Sequence, residues 1–138
     1  MNKAPSVAIV DDDDDMREAL RDLLHVAGIS CRTFDRAEAF LAVYEPEMVD
    51  CVITDVRMPG ISGLNLLQRL RRLAPPVPVI ILTSETEPTV RSQAIEGGAY
   101  AYLTKPVADR LLLDHLESVL ARYDRPAGNN RPKEDPDG

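Results

Sequence analysis

Residues 7–20 read VAIVDDDDDMREAL: four small or aliphatic residues, five consecutive aspartates, then the start of an amphipathic pattern. A short apolar run that breaks off into polar residues has the length and composition of a buried strand. The residues after the aspartates have the 3.6-residue period of a helix. A strand that delivers this much negative charge to one point is the feature around which the rest of the chain has to be organised.

Similar β-like runs recur along the chain: SVAIV (6–10), SCRTF (30–34), DCVIT (50–54), VPVIIL (77–82) and AYAYL (99–103). Between them lie helical stripes. Leu20, Leu23, Leu24 and Ala27 sit at i, i+3, i+4 and i+7, as do Ala37, Phe40, Leu41 and Tyr44. Leu66, Leu67, Leu70 and Leu73 form a third stripe, and Leu112, Leu116, Val119, Leu120 and Tyr123 a last one. Residues 88–97 offer only Val90, Ala94 and Ile95, so the fourth helix is expected to be the most weakly anchored. Gly28 marks the end of the first helix, Gly97 and Gly98 follow the fourth, and Pro75, Pro76 and Pro78 separate the third helix from the body of the next strand. Apolar strands alternating with helices predict an α/β domain: a doubly wound, five-stranded parallel sheet covered on both faces.

The chain has 138 residues, 44% of them hydrophobic, which is one ordinary domain with a real core. Net charge −7 and a pI near 4.8 leave no electrostatic footprint for nucleic acid or an anionic membrane. No apolar run approaches the roughly 20 residues of a membrane span, and MNKAPS lacks the apolar stretch of a signal peptide; a cytoplasmic location is expected. Cys31 and Cys51 fall in separate apolar runs and suit buried, reduced thiols. After Tyr123 the sequence turns to DRPAGNNRPKEDPDG, with no large apolar residue. The expected division is a folded domain over 1–123 and a disordered polar tail or linker over 124–138.

In open α/β sheets, ligands bind beyond the carboxyl ends of the strands where the order reverses. The first strand ends there at Asp11 and the third at Asp55. Adjacent strands lie about 4.8 Å apart, so the two acids would converge into a cup. Mutual repulsion is relieved by a raised pKa or a hard cation, and an oxygen-only donor set favours Mg²⁺. Asp11 and Asp12 are expected to serve the ion, while Asp13, Asp14 and Asp15 cap the first helix and meet its positive dipole end.

Four motifs in order, VDDDDDMR, ITDVRMPGISG, ILTS and AYLTKP, resemble the receiver domain of bacterial two-component response regulators. DVRMPG looks most like the FixJ branch, and the resemblance spans about residues 6–122. It implies the receiver, flavodoxin-like (βα)5 fold with strand order 2-1-3-4-5. It also implies that Asp55 is the phosphoacceptor, receiving a phosphoryl group from a phosphohistidine on a sensor histidine kinase or histidine phosphotransfer protein. Mg²⁺ would be bound by Asp12, Asp55 and the backbone carbonyl of Arg57, with Asp11 acting through water. Thr83 and Lys105 would hold phosphoryl oxygens, and Thr83 would turn toward them, making room for Tyr102 as aromatic switch. A cis bond is implied at Pro106. Output is implied to pass through the face of helix four, strand five and helix five to a partner or a C-terminal output domain, and a phosphorylation-dependent homodimer fits the same resemblance. The activity implied is self-catalysed phosphorylation and dephosphorylation rather than turnover of an outside substrate.

The chemistry agrees with these residue types, because phosphoryl transfer needs an in-line carboxylate and cations for the equatorial oxygens. Rival readings fit worse. A flavodoxin-like cofactor binder would place phosphate where this chain places five carboxylates, and an aspartate-based phosphatase of the haloacid-dehalogenase type needs a second acid where Arg57 stands. A degenerate receiver used only for binding would be marked by loss of the acceptor, the acid pair or the lysine; all are present. His25 and His115 lie on helices away from the strand ends, and Arg57 and Glu85 are expected at the pocket mouth, where they could pair.

Overall fold

The computed structural model describes residues 5–73 and 76–123. Strands β1 (Ser6–Val10), β2 (Ser30–Phe34), β3 (Cys51–Thr54), β4 (Val79–Thr83) and β5 (Ala101–Thr104) form one parallel sheet in the order β2-β1-β3-β4-β5. Helices α1 (Asp14–Val26), α2 (Ala37–Val43), α3 (Gly63–Arg71), α4 (Pro88–Glu96) and α5 (Asp109–Tyr123) follow the strands in turn. The expected architecture and strand order are therefore present. Pro75, the side chain of Tyr123 and the expected tail over 124–138 lie outside the described residues.

Side chains alternate across a strand, and the central strands are apolar on both faces, so one sheet sustains two cores. Val7, Ile9, Ile53, Ile80 and Leu82 point to one side and pack with Leu20, Leu24, Leu112 and Leu116 of α1 and α5. Ala8, Val10, Val52, Val79 and Ile81 point to the other and meet Phe40, Leu66, Leu67 and Leu70 of α2 and α3. Truncating a fully buried leucine such as Leu67 to alanine would cost about 2–5 kcal/mol.

Three expectations need correction at the edges. β2 is only partly buried, because it is a sheet edge and carries Ser30 and Arg32 into solvent. Ala27 is the exposed C-cap of α1 rather than part of its stripe, and Leu73 lies past the end of α3 with 39% of its surface exposed. In both cases the apolar period continues in sequence after the backbone has left the helix. The starts of β3, β4 and β5 also move by one or two residues toward the C-terminus from those read in the sequence, and the ends of β4 and β5 by one.

Punctuation acts as predicted. Asp13 caps α1 by accepting from the amides of Asp15 and Met16, and Asp14 and Asp15 occupy its first turn. Gly28 takes φ +80° just past the helix end, the left-handed conformation that glycine adopts without strain. Helix α4 has no side-chain cap, and only Ala94 is buried, which matches its thin stripe. Cys31 and Cys51 both pair with Val7, from opposite sides, so one whole strand separates them; both are free thiols, Cys51 buried as expected and Cys31, on the edge strand, only partly so.

Candidate functional site

Parallel register brings the ends of β1 and β3 together. The Asp55 amide donates to the Val10 carbonyl (3.1 Å), and the Asp11 amide donates to that of Phe34 (3.1 Å), so both acids are pinned at one sheet edge. Asp11 and Asp55 are buried and Asp12 is exposed. Each of the three offers a carboxylate oxygen, and these atoms lie within 4.8 Å of one another. The predicted cup therefore exists, and its all-oxygen donor set fits a hard divalent cation.

Lys105 reaches this cup from the end of β5. Its Nζ donates to Asp11 Oδ2 (2.9 Å) and to Asp55 Oδ2 (3.1 Å), bridging two acids that would otherwise repel. Among the described residues it is the cation within ion-pair distance of both. Its amide donates to the Thr83 carbonyl, and the Lys105–Pro106 bond is cis, as the resemblance implied. Burial pushes the Asp11 carboxyl above its ordinary value, against the opposing pull of the Asp13 amide and Lys105. Burial pulls the Lys105 ammonium down, yet its hydrogen bonds to Asp11 and Asp55 outweigh this and hold it above the usual lysine range.

The Asp55 carboxylate has two distinct oxygens. Oδ1 accepts from the Val56 amide (2.6 Å), while Oδ2 faces Lys105. Behind it, Gly63 opens α3 against the Asp55 peptide: a Cβ on Gly63 would sit 1.9 Å from the Asp55 carbonyl oxygen. The Gly63 amide donates to the Val56 carbonyl (2.8 Å), and Ser62 caps α3 at Asn65.

Glu85 ties the far side of the site together, a role that its place in the sequence did not reveal. Its amide donates to Thr83 Oγ1 (3.1 Å), its carbonyl accepts from the Tyr102 hydroxyl (2.8 Å), and its carboxylate pairs with Arg57. The Arg57–Glu85 pairing expected at the pocket mouth is thus made. It raises the guanidinium's pKa and lowers the carboxyl's. Tyr102 is buried, its ring beneath the Arg91 guanidinium (5.4 Å to the ring centroid). Burial, then the Glu85 charge, raises the phenol's pKa. The Arg91 contact was not legible either, since it joins α4 to β5.

Other residues stand apart. His25 is exposed in the last turn of α1, and His115 is half-buried on α5. A cleft of about 480 Å³ adjoins the site between α1 and the β5–α5 loop, lined by Met16, Leu20, Leu23, Lys105, Pro106 and Val107 among others.

Fold and site together define an α/β signalling domain built to carry an aspartate at the end of its third strand. The comparisons say which. Residues 7–117 match the response regulator receiver domain, and the chain belongs to that family, the phosphoacceptor modules of two-component systems. It is similar to the C4-dicarboxylate transport transcriptional regulatory protein DctD of Rhizobium meliloti, 40% identical over 113 residues, which are 81% of this chain and 25% of that protein. It is also similar to the transcriptional regulatory protein FixJ of Bradyrhizobium diazoefficiens, 36% identical over 124 residues, or 90% of this chain and 60% of that protein. The chain thus spans a quarter to three-fifths of these relatives. Among solved structures, a receiver domain protein from Clostridium thermocellum superposes with TM-score 0.81 at 27% identity, over 86% of this chain and 96% of that one. The response regulator StyR superposes at 0.79 and 38% identity, over 86% and 60%. No helix among the described residues is long and apolar enough to cross a membrane.

Proposed function

We propose that Asp55 is the phosphoacceptor of this domain and that Asp11, Asp12 and Asp55, with the Arg57 carbonyl, hold Mg²⁺ beside it. The observation that carries the reading is the bridge of Lys105 between Asp11 and Asp55 within a cup of three converging carboxylates. The chemistry comes from the groups in place. An Asp55 oxygen attacks the phosphorus of a phosphohistidine, the P–N bond breaks, and the imidazole leaves as the neutral base once protonated. Val56 N–H orients the carboxylate, and Lys105 passes from carboxylate to phosphoryl oxygens as charge develops there. When bound, Mg²⁺ would neutralise charge shared between the acids and the transferring group.

The donor in this reading is a sensor histidine kinase or histidine phosphotransfer protein in the cytoplasm. The apolar cleft supports its approach from α1, because Lys105, which lines the cleft, also reaches Asp55 Oδ2 (3.1 Å). Residues 1–123 are read as the receiver and 124–138 as a polar tail or linker. Output passes to a partner, a second copy or a further domain through α4, β5 and α5. Sparse burial on α4 supports a face that can move, and Thr83, Glu85 and Tyr102 connect it to the acceptor. A Mg²⁺ titration followed by amide chemical shifts tests the site. Shifts should centre on residues 11, 12 and 55–57 and vanish in Asp12→Ala; a titration unchanged by that substitution would rule the site out.

A further inference from the structure

Asp12 is the one member of the cup with no side-chain hydrogen bond or ion pair among the described residues, and it is exposed. Its aim must come from its backbone. Asp11 Oδ1 accepts from the Asp13 amide (3.0 Å), folding the chain tightly around Asp12. The carbonyl of Asp11, one half of the peptide that carries Asp12, accepts from Arg17 Nη1 at 2.6 Å. The second arm of the same guanidinium pairs with Asp14, and the Arg17 amide is fixed in the helix by the Asp13 carbonyl. With 17% of its side chain exposed, Arg17 is packed rather than waving in solvent. A cation this early in a helix opposes the positive end of the dipole, so a local acceptor is what accounts for its place.

We propose that Arg17 is a positioning residue for the cation cup, holding the Asp11–Asp12 peptide so that the Asp12 carboxylate faces the other two. This rests on the Mg²⁺ reading above. It makes a prediction opposite in sign to plain electrostatics. A positive charge near the cup disfavours a divalent cation, so deleting it should tighten binding if charge were its only effect. If Arg17 positions the peptide, deleting it weakens binding.

The test is a Mg²⁺ titration of the full chain, read from amide shifts with Mg²⁺ alone as the probe. Arg17→Ala should weaken binding about ten-fold, the low end of the roughly 10–100-fold lost with an outer hydrogen bond to a ligand. Arg17→Met, which keeps the packed stem but has no donor, should show the same loss and covers the case in which the alanine variant fails to fold. Arg17→Lys retains a donor and should recover most of the affinity. Asp14→Asn breaks only the ionic arm and should stay within about two-fold of wild type. Binding by Arg17→Met as tight as or tighter than wild type would overturn the proposal. Asp12→Ala separates the two levels. If it still binds Mg²⁺, the site reading fails and takes this inference with it; if it loses binding while Arg17→Met keeps it, only the role of Arg17 falls.

Discussion

Replacing Gly63 by alanine should damage this domain in two ways at once. At an ordinary helical position the change stabilises, by about 0.5–1 kcal/mol, because glycine loses more freedom on folding. Here the new methyl would lie 1.9 Å from the Asp55 carbonyl oxygen, 2.8 Å from its carbon and 3.0 Å from Val56 Cα. The first of these is about 1.5 Å inside the 3.4 Å at which ordinary contact begins. All three neighbours are backbone, and α3 cannot simply retreat, because Leu66, Leu67 and Leu70 are fully buried beneath it. Overpacking costs about 1–3 kcal/mol, and backbone on both sides puts this site at the upper end. After the helix gain, a net loss of about 2 kcal/mol remains, or roughly 8 °C in melting temperature for a domain of this size. The chemistry should suffer more. Displacing the acceptor peptide by about 1 Å is worth on the order of 100-fold in rate. Urea unfolding and the rate of phosphorylation by phosphoramidate measure the two effects. Gly60→Ala is the control, since its methyl meets only the flexible end of Glu38, though φ of +77° adds strain. A Gly63→Ala protein as stable and as quickly phosphorylated as wild type would refute the packing argument.

Two other outcomes are expected. The Cys51 thiol, fully buried, is pushed up to about 12 from 9.0. It therefore stays neutral in the fold while the unfolded chain ionises, and the native state binds more protons between these values. Stability should fall as pH rises from about 9, by roughly 1.4 kcal/mol at pH 10 relative to Cys51→Ala, and parallel pH profiles for the two proteins would contradict this. The Arg57–Glu85 pair spans the mouth with Arg57 74% exposed, so it should matter to the pocket and not to the fold. Loss of the phosphoryl group should change a few-fold in Arg57→Ala and Glu85→Ala without adding in the double variant; strict additivity would mean that the two side chains do not act as a pair.

The sheet was legible because four of the five strands are buried enough to read as apolar runs, whereas their order came from the family resemblance. β2 shows the limit: an edge strand alternates with solvent and gives a weaker signal. Asp11, Asp12 and Asp55 could be placed in one cup because topology alone carries strand ends to one edge. Lys105 could be named from its motif, but its bridge between two acids depends on a side-chain path that spacing does not encode. Arg17 stood in plain view after the aspartates, and only the fold shows that it turns back to the Asp11 carbonyl. Glu85 is the clearest case. Its backbone contacts link Thr83 and Tyr102, and backbone groups carry no residue signature.

The most direct test of the central claim is peptide mapping by mass spectrometry after incubation with phosphoramidate and Mg²⁺. One phosphoryl adduct should appear on the peptide containing Asp55 and be absent both in Asp55→Asn and when Mg²⁺ is chelated. An adduct that persists in Asp55→Asn, or none on the wild-type chain, would contradict the account.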